Sequence, residues 1–347
     1  MGTLNRRILT TLLLLLAIDV AVVATVASLL TPWLTPLRDA VDAVLPGGSG
    51  LAWWLAVVSP ALVAFVWAQL RYTRAQTLAE ADAREVDRTE YPDLYDRVQR
   101  LCHQADMVVP TIAVADSDVP NSFAVGTFRS ATVVVSEGLL AALSGDELDA
   151  VLAHELMHVK NRDATVMTLA SFLPALTNGE YGPIDDALPG SRGSRFVFGA
   201  LAFTGVYFLS VRFIEAPFGS LAFTLSVAFL FGLTVVLGGV LLGVFTAPVV
   251  VLGRSLSRER EFAADRSAAK LTGDPSALVG ALENLDGDAT PTPETDKRRA
   301  YDGVRGLCFL PHGFEEDPAT DEFHVETRSH PPTQERIERL GNVFREL

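Results

Sequence analysis

Hydrophobic positions along this 347-residue chain follow two patterns. In the first, apolar residues run on almost without interruption. Residues 8–30 (ILTTLLLLLAIDVAVVATVASLL) carry one charge, Asp19, and residues 51–70 (LAWWLAVVSPALVAFVWAQL) carry none. Two further apolar stretches cover 196–211 and roughly 221–247. These lengths approach or exceed the about 20 residues that cross a bilayer as a helix, so the pattern predicts four transmembrane helices. The first run is longer than a signal-peptide core and is followed by a second span, not by a cleavage site and soluble sequence. Asp19 is costly in lipid and is expected to face the bundle interior. The stretch 164–177 (ATVMTLASFLPALT) has only 14 residues and contains Pro174. It reads as an interfacial or partly buried extension of the preceding helix and not as a crossing.

In the second pattern, apolar positions recur with a period. Residues 75–105 carry charges at helical spacing around Leu94, Val98 and Leu101. Residues 109–114 and 131–136 (ATVVVS) are short and β-branched and predict strands, with Pro120-Asn121-Ser122 as a turn between them. A helix is predicted from Ser144 to Lys160. Ser144 and Glu147 form a capping-box pattern, and Leu148, Val151, Leu152, Leu156 and Val159 supply its buried face. Helix returns over 254–286, with Asp274-Pro275 as an N-cap and first-turn pair, and again over about 333–345. Segments 178–195 and 287–328 read as loops, and no internal repeat is visible.

Composition explains how one chain can be both apolar and acidic. Apolar residues make up 49% and mean hydropathy is +0.28, which excludes a disordered chain. Acidic residues number 42 against 28 basic ones, a formal charge of -14, and all but Asp19 lie outside the long apolar runs. Nucleic-acid binding is excluded as a function class, because phosphate neutralisation needs clustered Lys and Arg. Lysine occurs only at Lys160, Lys270 and Lys297, and an acidic, Lys-poor surface suits a protein working in high salt. Cys102 and Cys308 are too few for a disulfide scaffold or a thiolate zinc site.

Cations flank the apolar runs on one side. Arg6 and Arg7 precede the first, Arg71 and Arg74 follow the second, Arg192 and Arg195 precede the third, and Arg254, Arg258 and Arg260 follow the fourth. The first connecting loop has only Arg38 against Asp39 and Asp42. A multi-pass protein of the cell membrane is expected, with both termini and the polar segments in the cytoplasm.

The chemistry centres on His154-Glu155-Leu156-Met157-His158. Residues four apart on a helix share a face, so both imidazoles can bind one metal ion. Glu155 lies beside them, placed to take a proton from a metal-activated water and pass it to a leaving amine. Chance alone yields this pattern about 0.006 times in a chain of this composition, which makes an accidental match a weak alternative. Such a site needs a third protein ligand. His103, His312, His324 and His330 are not spaced as near ligands, so a glutamate is the better candidate. Glu261 and Asp265 stand four apart in SREREFAAD (257–265), where the fourth apolar run ends, and one can ligate while the other orients a histidine. Sharing one metal requires an even number of membrane crossings between His154 and the later acid. The runs at 196–211 and 221–247 supply two.

HELMHVKNRD (154–163), SREREFAAD (257–265) and HPPTQERIERL (330–340) together resemble the HtpX-like membrane metalloproteases, relatives of the CAAX prenyl proteases. The order of two spans, HExxH helix, two spans and glutamate helix matches as well, over nearly the whole chain. The resemblance implies an α+β, gluzincin-like zinc metallopeptidase domain on a four-helix transmembrane bundle. Residues 1–72 would form an N-terminal membrane hairpin, and 73–178 the first part of the peptidase domain. Residues 179–253 would form a loop and second hairpin, and 254–347 the rest of the peptidase domain. One Zn2+ per chain is implied, held by His154, His158 and Glu261, with Glu155 as general base and Asp265 orienting a histidine. His330 and Arg336 match the family's late His and Arg near the catalytic centre, where they would stabilise the oxyanion; a helix-cap role explains the same residues. Asn121-Ser122-Phe123 stands where the family usually has Asn-Ala-Phe, placing Asn121 and Phe123 near a substrate-holding strand.

The expected function is zinc-dependent endopeptidase action on unfolded or misassembled membrane proteins at the cytoplasmic face. ATVVVS is expected either to be an exposed edge strand to which an extended substrate adds, or an ordinary sheet strand. One alternative is a processing protease for lipidated C-termini, which ranks lower because four spans with modest loops enclose little. Another is a non-catalytic zinc-bearing membrane scaffold or chaperone, which has no use for Glu155 beside the ligands.

Overall fold

The structure, a computed structural model, describes residues 3–44, 50–127, 130–162, 165–166, 168–170, 172–173, 192–286, 309 and 331–345. In chain order its elements are α1 (Thr3–Leu29), α2 (Thr31–Val44), α3 (Gly50–Glu80), β1 (Ala83–Glu85), α4 (Pro92–Gln104), β2 (Thr111–Ala115), β3 (Ser122–Thr127) and β4 (Ser130–Ser136). They continue with α5 (Glu137–Ala142), α6 (Gly145–Asn161), α7 (Arg192–Leu209), α8 (Leu221–Thr272), α9 (Pro275–Asp286) and α10 (Thr333–Val343). The described residues are thus mostly helical with one small sheet. Two compact units form: one from 1–12, 69–171 and 251–347, the other from 13–68 and 172–250.

Three helices contain stretches long and apolar enough to cross a membrane: Arg6–Leu29, Trp53–Arg71 and Leu221–Leu252. These are three of the four spans expected from sequence. The remaining one falls on α7 and the 3-10 turn Ser210–Arg212 that follows it, where the apolar segment, Gly199–Arg212, is shorter. Asp19 is buried, as its cost in lipid demands. The connection after the first span is not a loop but the helix α2. There the Trp33 indole N–H donates to Ser210 Oγ at 2.9 Å, and Arg212 pairs with Asp39 at 3.1 Å. α8 also departs from expectation, because the fourth apolar run and the following polar segment form one helix of 52 residues that continues through Pro248. Proline removes one backbone N–H, but it ends a helix only where the freed carbonyl and ring clash go unaccommodated.

The other unit is built on a four-stranded sheet of order β1-β2-β4-β3. β1 and β3 run antiparallel to their neighbours, while β2 and β4 are parallel, with Thr111 opposite Thr132 and Ala115 opposite Ser136. β2, β3 and β4 are apolar on both faces because both faces are covered. Ile112, Val114, Ala124, Val133 and Val135 join the core made with α4, α6 and α9. Ala113, Phe123, Val125 and Val134 pack on the opposite face with Ala81 and Leu78.

Two strands were not foreseen. β1 interrupts the helical reading of 75–105, where Asp82 takes a left-handed conformation, φ 49°, between α3 and β1. Ser122, expected in a turn, opens β3. β3 also changes the role of β4, which is bonded on both sides and is an ordinary inner strand; the edges are β1 and β3. Of the stretch 164–177, residues 165–166, 168–170 and 172–173 are described, and they do not continue α6. Arg162 closes that helix at φ 65°, and the described residues beyond it are helical and mostly buried.

Candidate active site

The site is assembled on α6. Residues 150–159 are buried without exception, so this helix has no solvent face over three turns and forms the centre of its unit. Its ends are fastened by polar contacts. Arg97 bonds Asp149 at 2.7 Å, Arg100 adds a second bond to the same carboxylate, and Lys160 Nζ donates to the Ala105 carbonyl at 2.6 Å. Ser144 occupies the N-cap position, but its side chain makes no cap bond. Glu147, the expected capping-box partner, instead accepts from Asn284 Nδ2 on α9 at 2.8 Å.

On this helix the two Nε2 atoms of His154 and His158 approach to 2.9 Å. The polar end of α8 brings Glu261 against them, with Oε2 3.4 Å from His154 Nε2 and Oε1 3.5 Å from His158 Nε2. All three side chains are buried, and one ligand atom from each lies within 4.8 Å of the others. Zinc bonds of 2.0–2.2 Å in tetrahedral geometry set ligand atoms about 3.3 Å apart, so two imidazoles and a carboxylate at these separations fit Zn2+.

Asp265, one turn further along α8, faces the other ring nitrogen, with Oδ1 2.8 Å from His154 Nδ1. Arg336 on α10 backs Asp265 with two bonds, Nε to Oδ2 at 2.9 Å and Nη2 to Oδ1 at 2.7 Å, and Nη1 donates to the Phe309 carbonyl at 3.0 Å. The Phe309 ring stands edge-on to His154 at 4.9 Å, under the Arg336 guanidinium. Glu155 is buried beside the histidines, where Oε1 accepts from Ser122 Oγ at 2.7 Å and Oε2 has no hydrogen-bond partner among the described residues.

Charge in the site follows from burial set against these contacts. Burial works against a charged His154, but bonds to Asp265 and Glu261 outweigh it and hold the metal-free imidazole up at about 9. Burial also opposes ionisation of Asp265, yet the Arg336 charge and its bonds keep that carboxyl below the usual range. Glu155 is raised, chiefly by burial.

The arrangement defines a class: a metallopeptidase whose zinc is held by an HExxH helix and a later glutamate. Residues 88–343 match the model of Peptidase family M48, and the chain belongs to that family. It is 37% identical over 297 residues to "Protease HtpX homolog 1" of Streptomyces coelicolor, covering 85% of this chain and 84% of the relative. It is 33% identical over 290 residues to "Protease HtpX homolog 2" of Methanosarcina mazei, covering 82% and 83%. A solved structure, the crystal structure of S. mikatae Ste24p, aligns over 90% of this chain and 67% of its own with 19% identity and a TM-score of 0.36. The chain is an HtpX-like zinc metalloprotease and a membrane protein.

The structure therefore gathers His154, Glu155, His158, Glu261, Asp265 and Arg336 in one place. His330 lies outside the described residues. Asn121 sits at the start of β3, where its Oδ1 accepts from the backbone N–H of Ser122 and of Phe309. Phe123 is buried on the sheet face away from α6. Two contributors went unread in the sequence. Ser122 stood out only as a departure from a family pattern, and Phe309 sits in an acidic segment with no periodicity to mark it.

Proposed function

We propose that the chain is a membrane-embedded endopeptidase that cleaves unfolded or misassembled membrane proteins at the cytoplasmic face. The observation that carries this reading is Glu155, buried between two metal-binding histidines with one oxygen held and the other uncommitted. When bound, Zn2+ supplies a Lewis acid that polarises the scissile carbonyl and acidifies a water. Glu155 takes the proton of the attacking water on Oε2 and delivers it to the leaving amine. Asp265 Oδ1 lies 2.8 Å from His154 Nδ1 and orients the imidazole so that Nε2 is the ligand atom. Arg336 is committed to Asp265 and to the Phe309 carbonyl, an arrangement that favours an orienting role over contact with the oxyanion. That contact is assigned to His330.

The substrate path is assigned to β3, an edge strand that Asn121 precedes and to which Phe123 belongs. Adding a strand there demands an extended segment, which unfolded proteins offer. Four spans are proposed, with α7 as the third. His154 and Glu261 meet at one site, and an even number of crossings between them requires that α7 cross as well as Leu221–Leu252. The flanking arginines support a cytoplasmic site. The proposed organisation is that of hairpins at 1–72 and 179–253 alternating with the two parts of a gluzincin-like domain, 73–178 and 254–347.

The test is cleavage of unfolded, fluorescein-labelled casein by detergent-purified protein. A chelator should abolish cleavage and zinc should restore it. Glu155→Gln should keep stoichiometric zinc and lose about a hundredfold or more in turnover. Wild-type turnover by the zinc-loaded Glu155→Gln protein overturns the reading.

A further inference from the structure

Glutamate beside a metal is useful as a base only if one oxygen points at the water. The terminal torsion of a glutamate is broad, so burial alone leaves the carboxylate plane undefined. In this protein the plane has a fixed partner. Ser122 Oγ donates to Glu155 Oε1 at 2.7 Å, and both residues are buried. Ser122 is itself pinned at three points. Its N–H is taken by Asn121 Oδ1 at 2.9 Å, its carbonyl by the Phe309 N–H at 2.8 Å, and its position is set by pairing opposite Val135 in the sheet. The bond joins the edge strand to the metal-binding helix across 33 positions of sequence. It occupies Oε1 and leaves Oε2 without a hydrogen bond among the described residues.

We propose that Ser122 is a positioning residue for peptide hydrolysis: its hydroxyl fixes the Glu155 carboxylate so that Oε2 faces the attacking water. The inference rests on the reading of Glu155 as the proton-transfer group. It also ties substrate binding to catalysis, because the strand that carries Ser122 is the one proposed to receive the substrate backbone.

A purely structural hydroxyl and a positioning one differ in what its removal changes. Ser122→Ala removes a single oxygen and introduces no clash. With unfolded casein and zinc-loaded protein in detergent, kcat should fall about tenfold, the scale seen for groups that orient catalytic ones. KM, zinc stoichiometry and thermal midpoint should stay at wild-type values. Ser122→Thr keeps the oxygen and should restore kcat. In a Glu155→Gln background, Ser122→Ala should have no further effect, since the hydroxyl acts through that carboxylate. Unchanged kcat in Ser122→Ala overturns the proposal, and so does a fall in kcat accompanied by loss of zinc or of the folded state. Full turnover by Glu155→Gln alone is a separate outcome, which defeats the assignment of Glu155 and is read before the Ser122 variants are compared.

Discussion

Residues 150–159 of α6 and the stretch Leu221–Leu252 of α8 are both apolar helix, yet their surfaces meet opposite surroundings. Every residue of the first is buried. In the second, Phe229, Val236 and Val251 are exposed by 68%, 63% and 64%, and few positions are covered. A helix that is apolar all round belongs in a protein core or a bilayer, and its composition does not say which. Length does. Ten residues are enclosed by a sheet and neighbouring helices, whereas 32 residues with bare apolar sides are matched to hydrocarbon. The contrast governs polar groups as well. The core helix carries two histidines and a glutamate, each met by a partner from β3 or α8, while Leu221–Leu252 carries no charge at all.

This comparison can be broken in several ways. The largest effect is expected at the metal. His154→Ala or Glu261→Ala should lose stoichiometric zinc by metal analysis, and all measurable proteolysis with it; retained zinc in Glu261→Ala contradicts the ligand set. Asp265→Ala leaves the Arg336 guanidinium buried without its carboxylate, and thermal or denaturant unfolding should show a loss of about 3–5 kcal/mol.

Next come the apolar residues themselves. Leu152, fully buried in α6, should cost about 3 kcal/mol on replacement by alanine because a cavity remains. Leu225→Ala, on the open side of α8, should cost no more than about 0.5 kcal/mol in the same assay. The exposed face of α8 has a sharper test. Val236→Arg would be neutral in water but should cost about 2.5 kcal/mol in insertion if that face meets lipid, read as a drop in the fraction resisting alkaline extraction. The smallest effect concerns Cys102, buried on α4, whose thiol burial pushes up to about 11. Because the folded thiol ionises only near that pH, iodoacetamide at pH 8 should leave it unmodified in a Cys308→Ser background and label it on unfolding.

Sequence legibility followed the range of each interaction. Three long apolar runs, the helix bearing HExxH and the Asp274 cap are local patterns, written within one or two turns, and they could be read directly. β3 escaped because SFAVGT is covered on both faces and shows no alternation, while Pro120 and Asn121 look like a turn. The capping box failed for a related reason. Ser144 does begin α6, but Glu147 finds a partner on α9 that lies 137 positions away in sequence. Arg336 could be placed near the site but not aimed, since its target Asp265 is 71 positions distant.

What the sequence determined by itself was the chemistry available and the lengths that sort lipid from core. Spacing of four puts two imidazoles on one side of a helix whatever surrounds it, and 20 or more apolar residues suit a bilayer in any fold. Tertiary structure decided which atoms face one another. It brings Glu261 to 3.4–3.5 Å from both imidazoles, turns Arg336 onto Asp265 and lays Ser122 against Glu155. Hydrogen bonds and metal ligation depend on tenths of an ångström and on angle. Residues far apart in sequence acquire such positions only when the sheet and helices pack.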